Sequence, residues 1–415
     1  IAVVQNGEIF TRVEEVLDGW FESGSMPFAQ MHYPFENSER FEKNYPADFI
    51  VEYIGQVRAW FYYVHLVNSS LAEAGAFGED RATGELEAYK NVITTGVVAG
   101  NDGRKMSKSL GNYTDPNILM DQYSADALRM LLLSSPLLNG EDFALKDKDV
   151  SDIYRKLNMI WNVYDFFAMY AESENFAPEF MATENEKNLV GGNSSEKLAK
   201  FAKDFAPEKL ENVLDKWIVS RFAEFQASIT ENMNTYNIPE AMNVVLPFLD
   251  DLSNWFLRRS RRRFAKNPDA ADKAEAFKTL HFVLLEFAVA MAPFTPFLAE
   301  ELFANVSGGQ FGDSVHLLDW QSGFAKDESV LEQMREVREI IQKGLGKRME
   351  NDEFGRQKIR QPLSELKYGG TEFAADLEDI IAEEVNVKKV LFIENVDGVE
   401  LDKKMTDDLR QEGLS

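Results

Sequence analysis

The 415-residue chain contains no cysteine. Disulfides and thiolate metal sites are thereby excluded. Its four histidines, His32, His65, His281 and His316, are scattered without ligand spacing, so no structural zinc is expected. Long hydrophobic runs are missing too: the stretch 282–292, among the longest, is too short to span a bilayer and contains Glu286. No signal-like start precedes it, and a cytoplasmic protein without membrane contact is the expectation. Positive charge is scarce. Lys and Arg number 44 against 70 Asp and Glu, for a net charge of −26. Such a field repels phosphate at long range, which argues against indiscriminate nucleic-acid binding and leaves only local RNA contact. What the chain does have is apolar bulk. With 45% hydrophobic and 12% aromatic residues it can bury several cores, in two to three domains.

Against this acidic background one loop is basic. Lys105 and Lys108 lie in the glycine-flanked stretch Gly-Asn-Asp-Gly-Arg-Lys-Met-Ser-Lys-Ser-Leu-Gly at 100–111, with Arg104 beside them and only Asp102 to oppose them. A lysine ammonium is a compact charge on a flexible stem, suited to phosphate, and glycines let a backbone close around a nucleotide and reopen. The loop reads as a triphosphate clamp; a solvated basic turn is the alternative for the bare pentapeptide.

A second basic element is the run Arg258-Arg259-Ser260-Arg261-Arg262-Arg263. Between Leu252 and Lys266 there are six cationic residues and no acidic one. At helical spacing Arg258, Arg261 and Arg262 share a face opposite Phe256, Ser260 and Phe264, with Arg259 and Arg263 nearer the border. The ridge fits either RNA phosphates or the chain's abundant carboxylates. Between residues 56 and 74, Val57, Trp60, Phe61, Val64, Val67 and Leu71 recur with a helical period, predicting a helix on a core. If that helix begins near Glu52, then Glu52, Gln56 and Trp60 stack on one face as a carboxylate, an amide and an indole wall. That set would suit an α-amino acid with a branched aliphatic side chain. Each taken alone has a plainer reading, Trp60 as a core aromatic and Glu52 as a helix-start residue.

Lys105-Met-Ser-Lys-Ser109 is similar to the signature pentapeptide of class I aminoacyl-tRNA synthetases. The segment Val-Leu-Asp-Gly-Trp-Phe-Glu-Ser-Gly-Ser-Met-Pro-Phe-Ala-Gln at 16–30 resembles the re-entry of isoleucyl-tRNA synthetases into their catalytic domain after the inserted editing domain. Glu52-Tyr-Ile-Gly-Gln-Val-Arg-Ala-Trp-Phe61 is similar to the family's Glu-Gly-x-Asp-Gln-x-Arg-Gly-Trp-Phe, and the strand-like 91–98 then leads into the lysine loop. Two departures stand out: Gly55 where the family has Asp, and Ala59 where it has Gly. The family's H-x-G-H motif and its editing insertion have no counterpart, so the chain reads as a C-terminal portion of a longer enzyme, silent in activation by itself.

The resemblance implies a multidomain protein. Residues 1–112 would be the second half of a Rossmann-like α/β catalytic domain, 113–178 a connector and 179–196 a flexible linker. Residues 197–325 would be an α-helical anticodon-binding bundle, with long amphipathic stretches at 214–233, 238–265 and 270–292, and 326–415 an incomplete α/β junction region. The implied activity is ATP-dependent formation of isoleucyl-adenylate and transfer to tRNA(Ile), with Mg2+ accompanying ATP and a monomer as the working state. Lys105 and Lys108 would be catalytic, and Lys105, Met106, Ser107, Lys108, Ser109 and Gly96 would hold ATP. Trp20, Glu52, Gln56 and Trp60 would hold the amino acid and adenylate, and Arg258, Arg261 and Arg262 the tRNA. A valyl or other aliphatic-branch enzyme, or a non-catalytic tRNA-binding paralogue, are the other readings; Ser23-Gly-Ser-Met-Pro27 favours the isoleucyl one, and the two lysines weigh against a decayed paralogue.

Overall fold

The computed structural model describes residues 2–11, 14, 18–78, 86–107, 109–174, 176, 194–265 and 268–413. The chain divides into two compact units, one of residues 1–122, 131–151 and 236–239, the other of 123–130, 152–235 and 240–415.

The first unit opens with an antiparallel hairpin of β1 (Ala2–Gln5) and β2 (Glu8–Thr11). Three short helices follow, α1 (Gly19–Gly24), α2 (Met26–Ala29) and α3 (Ser38–Asn44). Strand β3 (Ile50–Tyr53) runs into a 3-10 turn, Ile54–Arg58, and then α4 (Trp60–Glu73). β4 (Val92–Thr95) returns parallel to β3, with Glu52 opposite Thr94 and Tyr53 opposite Thr95. β5 (Val98–Ala99) precedes the lysine loop, α5 (Pro116–Gln122) follows it, and β6 (Phe143–Ala144) pairs parallel with β5. Two small cores hold these parts. Ile50, Phe61, Val64 and Ala88 form one, with Trp60 and Tyr89 against it; Phe41, Tyr45, Ala72 and Phe77 form the other. α1 meets α4 backbone to backbone, since a Cβ on Gly24 would lie 2.8 Å from the Tyr63 carbonyl oxygen, and buried Asn68 donates to the Gly24 carbonyl at 2.8 Å.

Helices α6 (Ala125–Leu133) and α7 (Asp147–Ser173) contribute residues to both units. The polar stretch 179–196, read as a linker, lies outside the described residues up to 193, and 194–196 open α8 (Ser194–Asp204). The helical part of the second unit continues with α9 (Val213–Asn234), α10 (Ile238–Asn243), whose first two residues count with the first unit, and α11 (Val245–Asp250). A π-helical segment, Asp251–Leu257, joins α11 to α12 (Arg258–Ala265). The sequence pattern predicts one helix over 238–265; the interruption near Val244 has a cause in Pro247, which has no N–H for the carbonyl four residues back. α13 (Ala270–Met291) is buried at every residue from Thr279 to Met291 and packs with α14 (Pro296–Ser307). Phe225, Phe248 and Phe287 stack in the same core. α15 (Glu328–Met349) leads to a three-stranded sheet of order β8-β7-β9. Its strands are β7 (Leu363–Tyr368), β8 (Val387–Phe392) and β9 (Val399–Leu401), with α16 (Ala375–Val385) crossing from β7 to its parallel partner β8 and α17 (Asp407–Glu412) last.

Candidate functional site

In the first unit the carboxyl ends of the parallel pair β3 and β4 carry Glu52 and, just past Thr95, Gly96. In open parallel sheets that end is where ligands bind. Glu52 is exposed, with one carboxylate oxygen accepting the Tyr53 N–H at 3.0 Å. Gly96 donates its N–H to the Leu137 carbonyl at 2.8 Å.

The anticipated stack of Glu52, Gln56 and Trp60 on one helix does not form. Glu52 is in a strand, Gln56 is in the 3-10 turn, and the helix starts at Trp60. Ile50 to Tyr53 is claimed by β pairing, so the spacing of four carries no common face there. Gln56 instead serves the helix start: its side-chain oxygen accepts the Trp60 N–H at 3.1 Å. Trp60 is half-buried and its indole N–H donates to the Ser23 carbonyl on α1 at 3.3 Å. Trp20, on the same short helix as Ser23, is 43% exposed and has its N–H capped by Asp18 at 3.0 Å. The tryptophans are thus carried on two helices that pack together, by a contact that spacing along the chain does not encode. Where the family has Asp, a Cβ on Gly55 would lie 2.3 Å from the ring of Tyr53; the exposed end of that ring occupies the space.

The lysine loop is folded by Asp102, read from the sequence only as an opposing charge, and by Asn112, which sequence reading passes over. Asn112 holds it from inside: its side-chain oxygen accepts the Ser107 N–H at 3.1 Å, and its NH2 donates to Asp102 at 2.9 Å and to the carbonyls of Arg104 and Lys105 at 3.3 Å. Asp102 also accepts the backbone N–H of Arg104 at 3.0 Å and its guanidinium at 2.7 Å. These donors, with the Asn112 amide foremost, hold the Asp102 carboxyl down to about 2. Arg104 is therefore spent on Asp102, while Lys105, bridged through its backbone to Ala99, has an exposed side chain. Met106 and Ser107 are half-buried, and the Ser107 hydroxyl meets that of exposed Ser109 at 2.7 Å. Lys108 lies outside the described residues. The available signal was an Asp and an Asn bracketing a glycine-rich turn, the residue types that fold such turns through their side chains. Among the described residues no group of three or more His, Asp or Glu could hold a metal ion. No helix among them is long and apolar enough to cross a membrane.

In the second unit α12 sorts its arginines by face. Ser260 and Phe264 are buried; Arg258, Arg261 and Arg262 are exposed. Arg263 is buried in a fork-to-fork pair with Asp215, at 2.9 and 2.6 Å, and also bonds Asp272. Arg259 reaches Glu384 at 2.6 Å and Glu383 at 2.7 Å, and Arg258 reaches Glu384 at 2.7 Å. The carboxylate use of the ridge thus takes Arg258, Arg259 and Arg263. Arg261 and Arg262 have no ion pair or hydrogen bond from their guanidinium groups among the described residues.

Residues 2–144 match the family tRNA synthetases class I (I, L, M and V), and residues 215–358 match the anticodon-binding domain of tRNA ligase. The isoleucine–tRNA ligase of Treponema denticola is 38% identical over 94% of this chain, and that of Chlamydia trachomatis serovar D is 37% identical over 94%. These alignments cover 34% and 35% of the relatives, so the chain spans about a third of their length. The fold is similar to LeuRS of Agrobacterium radiobacter K84, solved as a ternary complex with tRNA and LeuAMS. That likeness has a TM-score of 0.54 and 18% identity, over 80% of this chain and 36% of that one. The chain thus carries a class I tRNA synthetase domain over residues 2–144 and an anticodon-binding domain of tRNA ligases over 215–358, and along nearly its whole length it is similar to isoleucine–tRNA ligases.

Proposed function

We propose that the chain supplies the amino-acid wall, the lysine loop and the tRNA-binding bundle of an isoleucine–tRNA ligase, which uses ATP to form isoleucyl-adenylate and passes the isoleucyl group to tRNA(Ile). The observation that carries the reading is the 38% identity to an isoleucine–tRNA ligase over 94% of the chain. The exposed Glu52 at the carboxyl end of β3, in the same unit as the lysine loop, supports it.

Activation is in-line attack of the isoleucine carboxylate on the α-phosphorus of ATP, with pyrophosphate leaving. Little covalent work falls to the protein, whose task is positioning and neutralising charge. In this reading Lys105 and Lys108 meet the leaving pyrophosphate as the loop closes, with Met106, Ser107, Ser109 and Gly96 lining the nucleotide. Mg2+ arrives with ATP as part of the substrate. Glu52 takes the substrate ammonium, Gln56 its polar edge, and Trp20 and Trp60 its aliphatic side chain. Arg258, Arg261 and Arg262 face tRNA, and of these Arg261 and Arg262 keep their charge uncommitted. The division at residues 112, 178, 196 and 325, a monomeric state and a cytoplasmic setting belong to the same proposal.

The test is isoleucine-dependent ATP–pyrophosphate exchange by the protein that carries this chain together with an H-x-G-H half. Removing one preorganised donor of this kind lowers turnover about 100- to 1,000-fold. Lys108→Ala is expected to do so without changing the thermal midpoint. Near-normal exchange in that variant would remove the lysine from the mechanism, and exchange driven by valine instead would move the protein to the valyl branch.

A further inference from the structure

Between α15 and β7 the chain makes a loop whose backbone is bound inward and whose cations point to solvent. Arg348, in the last turn of α15, is 1% exposed and meets no carboxylate among the described residues. Its guanidinium donates to four carbonyls: Lys358 at 2.6 Å, Val385 at 2.9 Å, Asn386 at 3.5 Å, and Gln361. Asn386 donates to the Ile359 carbonyl at 2.8 Å, and the Gln357 N–H donates to the Arg348 carbonyl at 2.8 Å. Lys403, also buried, secures the loop's first residues through the Glu350 carbonyl at 2.8 Å and the Asp352 carboxylate at 2.7 Å.

The side chains left outside are Arg356, Lys358 and Arg360, all exposed, together with Phe354 at 46% and Ile359 at 48% exposure. From residue 354 to 361 there are three cations and no carboxylate. None of the three cationic side chains has an ion pair or hydrogen bond among the described residues, although acidic residues outnumber basic ones 70 to 44. The nearest carboxylate in sequence apart from Glu353, that of Asp352, is already held by Lys403. Chance pairing should have neutralised at least some of this charge. A loop held by backbone hydrogen bonds that keeps three cations uncommitted near an exposed aromatic residue in sequence has the composition of an RNA-contact surface, cations for phosphate and a ring for stacking.

The loop is also tied to the arginine helix. Glu383 and Glu384 hold Arg258 and Arg259 of α12, and the next two residues, Val385 and Asn386, accept from Arg348, with Asn386 fixing Ile359. Four consecutive residues thus anchor both basic elements. We propose that the loop 354–361 is a second tRNA-contacting element, in which Arg356, Lys358 and Arg360 bind backbone phosphates and Phe354 packs on an exposed base. The proposal rests on the tRNA-ligase reading above.

The experiment compares the full 415-residue chain with two sets of variants, using a tRNA(Ile) transcript as probe over a range of salt concentrations. One set is Arg356→Gln/Lys358→Gln/Arg360→Gln, the other Arg261→Gln/Arg262→Gln, each checked for an unchanged melting curve. Each phosphate deprived of its cation should flatten the log–log salt slope by roughly one. The loop variant is expected to bind at least tenfold more weakly, with a slope lower by about 2 to 3. Phe354→Ala is expected to weaken binding several-fold with the slope unchanged. Native affinity and slope in a folded loop variant would overturn the proposal, and would do so most sharply if the Arg261/Arg262 variant bound weakly. A native chain with no affinity for tRNA even at low salt would overturn the function reading together with the loop.

Discussion

Asn112 shows how one side chain can determine the form of the lysine loop without belonging to its signature. It accepts from Ser107, donates to Asp102, and reaches two carbonyls of the chain between them. Asn112→Asp keeps the acceptor and replaces the donor by a second carboxylate facing Asp102. The Asp102 carboxyl, now held near 2, should rise by a unit or more, and the Ser107 amide should lose protection as the turn loosens. Carboxyl titration by NMR checks the first and hydrogen exchange the second; an unmoved Asp102 would mean that Arg104 alone sustains its ionisation. The residue types in this loop, two lysines and an arginine opposed by one aspartate among glycines, were legible in the sequence. Which polar side chain folds the loop was not, because hydrogen bonds across a turn depend on backbone geometry rather than on spacing.

At the scale of elements, periodicity located the helices but not the point where one structure yields to another. The faces of α12 follow the pattern read from Phe256, Ser260 and Phe264. The helix predicted from residue 56 starts at Trp60, and its conditional extension back to Glu52 is taken up by a parallel strand pairing with β4, a pairing to a distant segment that leaves no trace in local spacing. The contact of α1 with α4, which brings the Trp20 and Trp60 helices together, is likewise tertiary. The loop after α15 is the clearest case. Arg348, which nothing in the sequence singles out, is buried and ties the end of α15 to the turn before β7 and to the end of α16. Arg348→Met preserves the bulk and leaves several carbonyls unpaired. Unsatisfied buried groups cost about 1 to 3 kcal/mol each, less where water can enter, so a loss of about 2 to 4 kcal/mol is expected in urea denaturation. A midpoint within error of the native one would show that solvent replaces the guanidinium at no cost, and would leave the loop without its anchor.

For the molecule as a whole one buried carboxyl couples stability to pH. Glu286 is fully buried on α13, between Leu285 and Phe287 in the sequence, and one of its carboxyl oxygens has no hydrogen-bond partner. Burial pushes its pKa up to about 8, so the folded protein keeps the proton at neutral pH while the unfolded chain releases it near the usual glutamate value. The sign follows from proton counting. Below about pH 4.5 both states are protonated and the group has no pH-linked effect; from there to about 8 the folded state holds more protons, and stability falls as pH rises; above about 8 both are ionised and the full penalty remains. Glu286→Gln removes the titration while keeping shape and polarity. The stability difference, variant minus native, should therefore climb with a limiting slope of about 1.4 kcal/mol per pH unit inside that window and level off on either side. Urea midpoints measured from pH 4 to 9 on both proteins read this directly, and taking the difference cancels the contribution of buried His281, whose depressed pKa of about 4 works in the opposite sense. Parallel curves across the window would mean that Glu286 is ionised in the folded state and that water or a counter-charge reaches it inside the bundle.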